Sequence, residues 1–203
     1  MIPIIVAAIG VAGVVATSAI TYQIFQNKAR IEWIQITCDK VAVLLNSLGK
    51  LYVTIEKMKM ADDHKAKANE DLRIRAIVDL SSVESEMTSL NLYFGPDGGT
   101  EDLSKKSTES LITSLNNEES NEKKNGLINE YTKRKNDRLT DMEETLYDAF
   151  EPSYGEEIKA MQNEITEIFR TYFKIEWKRS HKNYIIPISI VVGIVILAGL
   201  LVA

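Results

Sequence analysis

Cysteine occurs once in this chain of 203 residues, at Cys38, so no intramolecular disulfide can brace the fold. Stability has to come from packing, and a reducing compartment is compatible with that. Histidine occurs twice, at His64 and His181, and neither stands at ligand spacing from Cys, Asp or Glu. The Glu-x-x-His pair that a di-metal bundle needs twice is absent, so no metal or other cofactor is expected. Basic residues are outnumbered, 24 Lys and Arg against 29 Asp and Glu, which argues against a chain that coats nucleic acid. No serine sits in a nucleophile elbow, and no acidic or basic partner marks Cys38 for thiolate chemistry. The Glu164-x-x-Glu167 pair flanks an apolar seam and is expected to be solvated. The chain is therefore expected to be no enzyme, and no small-molecule substrate is evident.

Proline and glycine are sparse, with four and ten copies, and no proline falls between Ile4 and Met60. Both features favour long helices. The strongest break is Gly95-Pro96-Asp97-Gly98-Gly99. Its spacing fits neither a P-loop nor a dinucleotide fingerprint, and no strand is predicted before it, so it is expected to be a plain turn.

Charge is missing from both ends. Ile2 to Phe25 and Ile185 to Ala203 carry none, and every charged side chain lies between Lys28 and Lys182. Runs of that length match the roughly 20 helical residues that cross a bilayer core. The expected domains are a first membrane span over 1–27, a cytoplasmic helical bundle over 28–182 and a second span over 183–203. A cleaved signal peptide at Thr17-Ser18-Ala19 is the alternative for the first run, but no Lys or Arg precedes its long apolar core. Lys28 and Arg30 follow the first run, and Lys174, Lys178, Arg179 and Lys182 precede the second. The positive-inside rule then places the domain in the cytoplasm and both termini outside. Ala8, Ala12 and Ala16 recur every four residues, as do Ser189 and Gly193, a spacing that lets membrane helices approach closely. The same pattern also arises from the ordinary abundance of small residues in membrane helices. Tyr22, Phe25 and Tyr184 stand where interfacial aromatics lie, and Pro187 predicts a kink or restart at the second span.

The first helix is expected to continue from the membrane to Met60 as one rod of about 85 Å. Ile31, Ile34, Cys38, Val41, Leu45, Leu48, Tyr52 and Ile55 alternate steps of three and four, an a/d seam widened by Leu44, Leu51 and Met58. Cys38 on that seam reads as a packed thiol. A polar reversal over 61–69, with Asp62 or Asp63 as a cap, leads to a second helix ending at Phe94. That helix is expected to bury Leu72, Ala76, Ile77, Leu80, Val83, Met87 and Leu90. A short third helix capped by Thr100 follows, then a mobile polar linker over 116–126. A fourth helix runs from Leu127 to Phe150, and the last carries Ile158, Met161, Ile165, Ile168, Tyr172 and Ile175 into the second span. A first helix that leaves the membrane and a last one that returns require an even number of legs. If the third and fourth helices form one broken leg, the result is an all-α fold in which two transmembrane helices continue into an antiparallel four-legged bundle.

Arg30-Ile31-Glu32-Trp33 and Glu176-Trp177-Lys178-Arg179 lie near the inner ends of the two uncharged runs, each Trp about 12 Å beyond the hydrocarbon edge by helical rise. Adjacent antiparallel legs would bring Arg30 near Glu176 and Glu32 near Arg179, a membrane-proximal collar. Two independent interfacial tryptophans are the other possibility. Glu32-Trp33-Ile34, the segment Leu90 to Asp97, and Lys174, Glu176, Trp177 and Arg179 resemble a loose group of uncharacterised bacterial membrane-tethered helical-bundle proteins. Related chains place Asn before the turn proline, where this one has Phe94-Gly95, and the second span is a further departure. The group has no assigned activity, so the resemblance implies no catalytic residue. The expected function is a membrane-anchored interaction, scaffold or membrane-sensing protein whose partner is another protein or a second copy. A phage- or mobile-element-related membrane defence or exclusion protein is the first alternative, and an extracytoplasmic sensor domain the second.

Overall fold

The computed structural model describes the backbone of residues 2–61, 66–94, 107–118, 120–148, 151 and 153–202, and the side chains of 17–18, 20–61, 70–94, 107–118, 120, 122–146, 151 and 153–180. The described residues form five α-helices, α1 Ile2–Met60, α2 Ala66–Phe94, α3 Thr108–Asn117, α4 Asn121–Asp148 and α5 Tyr154–Val202. Among the described residues no helix is long and apolar enough to cross a membrane. The side chains of Ala8, Ala12, Ala16, Tyr184, Pro187, Ser189 and Gly193 lie outside that set, as do Asp62, Asp63 and His64. The chain divides into two compact units, one of residues 37–172 and one of residues 1–36 with 173–203.

Within residues 37–172 the polar contacts between helices give direction as well as adjacency. Lys40 reaches Ser89 at 2.9 Å and Thr54 reaches Asp79 at 2.6 Å, so numbers rise along α1 as they fall along α2. The same reversal holds between α2 and α4, where Ser81 donates to Glu143 at 3.3 Å and Thr140 to Glu84 at 2.9 Å. It holds between α4 and α5 (Tyr131 to Glu164, 3.2 Å; Tyr172 to Asn125, 2.6 Å), and Gln162 of α5 closes the ring on the Leu45 carbonyl of α1 at 3.3 Å. Four long helices therefore pack as an antiparallel bundle, each against two neighbours. One end is closed by Phe94, whose ring meets Phe169 at 5.9 Å and Tyr172 edge-on at 5.6 Å.

The third helix departs from expectation. It starts at Thr108, and Ser107 is its cap: extended at φ −67° and ψ 161°, it accepts the Ser110 amide through its hydroxyl. Thr100, the expected cap, lies outside the described residues. Only residues 118–120 separate α3 from α4, and Ser107, Thr108 and Glu109 lie beside Tyr131, Arg134, Lys135 and Arg138 of α4. The connection thus reverses the chain, so α3 folds back along α4 and the two are not one broken leg. The 116–126 stretch is correspondingly no linker, because α4 begins at Asn121 and Lys124 is buried. A polar sequence at a helix start reads as loop when the apolar face begins only a turn later. Ser107→Ala is expected to cost about 1 kcal/mol at the α3 terminus. The check is amide exchange of Leu111, which should quicken about fivefold while that of Leu80 is unchanged.

The core is a set of four heptad rows. On α1 the buried row is Ile34, Thr37, Val41, Leu44, Leu48, Leu51 and Ile55, with Ser47 and Thr54 buried beside it. Of the expected seam, Ile34, Val41, Leu48 and Ile55 are buried together with its widening residues Leu44 and Leu51, whereas Cys38, Leu45 and Tyr52 are only half-buried and Thr37 is inside where Cys38 was expected. The two rows compete at adjacent positions, Leu44 and Leu51 against Leu45 and Tyr52, and the helix turns the pair of leucines inward and carries Thr37 with them. Cys38 is left half-buried on the flank, where burial and then Asp39 raise its thiol pKa. On α2 the row is Ala76, Leu80, Val83, Met87, Leu90 and Phe94, with Leu72 and Ile77 only half-buried. On α5 it is Tyr154, Ile158, Met161, Ile165, Ile168 and Tyr172. Each fully buried aliphatic side chain contributes about 1.5–3 kcal/mol. The α4 row has Ile128, Leu139, Met142 and Leu146, but Thr132 and Lys135 interrupt its middle.

Between α2 and α4, burial raises the Glu84 pKa, the Thr140 hydrogen bond partly opposes this, and the neighbouring Glu143 raises it again. A carboxyl whose folded pKa lies above its unfolded value binds more protons in the folded chain. It therefore costs stability as pH rises through that window. Glu84→Gln keeps the acceptor without the charge, so its stability relative to wild type should increase from about pH 4 to about pH 7. Denaturant midpoints at a series of pH values measure this, and a pH-independent difference would contradict it.

Candidate functional site

Two regions depart from apolar-inside packing. The first lies in the unit formed by residues 1–36 and 173–203. Arg30 and Glu176 form an ion pair between α1 and α5, with the Glu176 side chain 4% exposed and that of Arg30 19%. The Arg30 Nε is buried without an acceptor among the described residues. Ser180, also buried, donates to the Glu176 carbonyl at 3.1 Å, and the same antiparallel register brings buried Asn27 to the level of Ser180. Steps of four from Tyr172 put Glu176 and Ser180 inside, where Ile175 was the expected seam residue and is only half-buried. Outside, the polarity inverts: Tyr22 is 63%, Phe25 70% and Trp177 48% exposed, with Ile24 beside them.

Of the predicted collar residues, the structure brings Arg30 and Glu176 together. Glu32 is exposed and pairs along its own helix with Lys28 at 3.9 Å. Trp33 and Arg179 are half-buried, and Trp177 is turned outward.

The second region, within residues 37–172, is a cavity of about 610 Å³ between the start of α3, the middle of α4 and α5. Its wall holds Tyr131, Arg134, Lys135 and Arg138 from α4 and Glu164 from α5. Tyr131 is fully buried and donates to Glu164 at 3.2 Å, and Lys135 reaches the same carboxylate at 2.6 Å. Burial, followed by the Glu164 charge, pushes the Tyr131 hydroxyl well above its ordinary pKa, so it stays protonated and donating. Arg138 is held by both oxygens of Glu157, at 2.7 and 2.9 Å, a fork that raises its own pKa. Arg134 differs: its Nε is buried, and among the described residues it has no acceptor.

This cavity was not anticipated from the sequence. Tyr131 reads as core and Glu164 as solvated flank, yet Glu164 receives both Tyr131 and Lys135. The signal that could have found the site is the Lys133-Arg134-Lys135 run with Arg138 four residues after Arg134, on a helix whose heptad row passes through Lys135. Among the described residues no group of His, Cys, Asp and Glu could hold a metal ion. Compared with known protein families, characterised proteins and solved structures, the chain matches none.

Proposed function

We propose that the chain is a membrane-anchored helical interaction module, held in a bilayer through its two uncharged terminal runs and carrying its bundle as a contact surface for another protein. The observation that supports this is the inverted polarity beside those runs. Polar Asn27, Arg30, Glu176 and Ser180 are inside, while aromatic Tyr22, Phe25 and Trp177 are outside. In water this arrangement exposes apolar surface and desolvates charge at the same time. At a lipid interface both features are favourable, since aromatics sit at headgroup level and ionisable groups turn inward. The bundle supplies a contact face on its outer surface, where Val43, Val53 and Met60 of α1 and Ile74, Val78 and Leu92 of α2 are exposed.

Brominated lipids test the anchoring. In a Trp33→Phe variant reconstituted in vesicles, Trp177 fluorescence should be quenched strongly by bromine near the headgroup and weakly by bromine near the chain ends. Absence of quenching at either depth would remove the lipid contact on which the proposal rests.

A further inference from the structure

We propose that the bundle binds a second copy of this chain side by side, a basic edge on α1 and α2 of one copy against an acidic edge on α2 and α4 of the next. The inference rests on the reading of the bundle as a contact surface and uses residues 37–172 alone. The basic edge is a groove of about 440 Å³ whose wall carries Lys50 and Lys57 of α1 and Arg75 of α2. All three are exposed, and among the described residues none has an ion pair. Asp79, the carboxylate on the same wall, accepts the Thr54 hydroxyl at 2.6 Å, so the groove keeps a positive surplus in a chain whose net charge is -5. The acidic edge lies on the other flank of α2. There Glu84 accepts from Thr140 and Glu143 from Ser81 across the contact between α2 and α4, and exposed Glu144 follows. Among the described residues none of these three carboxylates has a cation. Burial and then the neighbouring Glu143 raise the Glu84 pKa against the Thr140 hydrogen bond, and a cation from outside would relieve that repulsion.

The two edges stand at one height, because Thr54 meets Asp79 and, two residues on in α2, Ser81 meets Glu143. Copies with parallel axes therefore bring Lys50, Lys57 and Arg75 of one level with Glu84, Glu143 and Glu144 of the next, three cations against three carboxylates. Each edge also offers an exposed valine. Val53 on the groove wall is 49% exposed, and Val78, one turn before Ser81, is 62% exposed. Covering them supplies the apolar part of the contact. An anionic partner such as a nucleic acid or a lipid headgroup would satisfy the basic edge and leave the acidic one unmatched; a second copy satisfies both. Two different surfaces meet, so the contact is heterologous and repeats from copy to copy as a closed ring or an open row.

The test uses the full chain in nonionic detergent, with micelles in excess, followed by sedimentation velocity. Wild type is expected to sediment as dimers or larger species at about 50 mM NaCl and to shift toward monomer at about 500 mM, where the Debye length is roughly threefold shorter. Lys50→Glu with Lys57→Glu, and Glu143→Lys with Glu144→Lys, should each weaken self-association at least about tenfold. An equimolar mixture of the two should recover it, because each retains the intact edge that the other needs. If the Glu143 variant loses its helical circular dichroism, Glu144→Lys alone, at an exposed position, carries that arm. Monomeric wild type at low salt, undiminished association in either charge-reversed variant, or a mixture that stays dissociated would each overturn the inference. Those outcomes would leave the bundle as a surface for a different protein, and the anchoring is decided separately by the quenching of Trp177.

Discussion

Replacing Glu176 by Ala is expected to destabilise the protein by about 3–5 kcal/mol, far more than loss of a surface ion pair. The carboxylate is 4% exposed and pairs with an arginine that is 19% exposed, so truncation strands a guanidinium with little access to water. Most of the cost is that uncompensated charge and not the attraction itself. Removing both partners should therefore recover much of it, and Arg30→Met with Glu176→Leu is expected to be markedly more stable than Glu176→Ala alone. Unfolding of the full chain in detergent measures both. A loss below about 1 kcal/mol in the single variant would show that solvent screens the pair.

The second large effect concerns which side of α1 faces the core. Leu44→Ala should cost about 2–5 kcal/mol because Leu44 is fully buried. Leu45→Ala should cost less than about 1.5 kcal/mol, since its side chain is only half-buried. The two substitutions remove the same atoms from adjacent positions, so their ratio reports helix rotation and little else. Equal losses, or a larger loss at Leu45, would restore the seam through Cys38, Leu45 and Tyr52.

That pair also shows how far the sequence could be read. Positions seven apart, Ile34, Val41, Leu48 and Ile55, are buried as their spacing implies. The intermediate position is ambiguous between a step of three and a step of four. Thr37 is polar and Cys38 apolar, so composition favours the wrong one; the structure buries Thr37 completely. On α2 and α5 the apolar residues alternate without a competing row, and the expected core residues are buried except Leu72, Ile77 and Ile175, which are half-buried. The end of α2 at Phe94 was legible because Gly95 and Pro96 follow it.

The errors fall where charged or polar residues take part in packing. Asn121 to Gly126 reads as loop by composition, yet it forms the first turns of α4. Lys135 and Glu164 read as surface, yet they share a 2.6 Å contact on a cavity wall. Glu176 is the opposite case. Its partnership with Arg30 could be reasoned from antiparallel register near the two uncharged runs, while its burial could not, because the apolar Ile175 beside it was the better core candidate by residue type. Hydrophobic periodicity locates helices well and ranks adjacent faces poorly once a polar group has a partner across the interface.

The proposed anchoring requires that the two uncharged terminal runs be buried in lipid and enter it from one side. It is tested most directly by placing a protease-cleavable tag at each terminus and probing sealed membrane vesicles of known orientation after alkaline extraction. A chain anchored in this way should resist extraction, with both tags accessible from the face opposite the bundle and neither from the bundle's own face. A chain released by alkali, or one whose two tags lie on opposite faces, would contradict it.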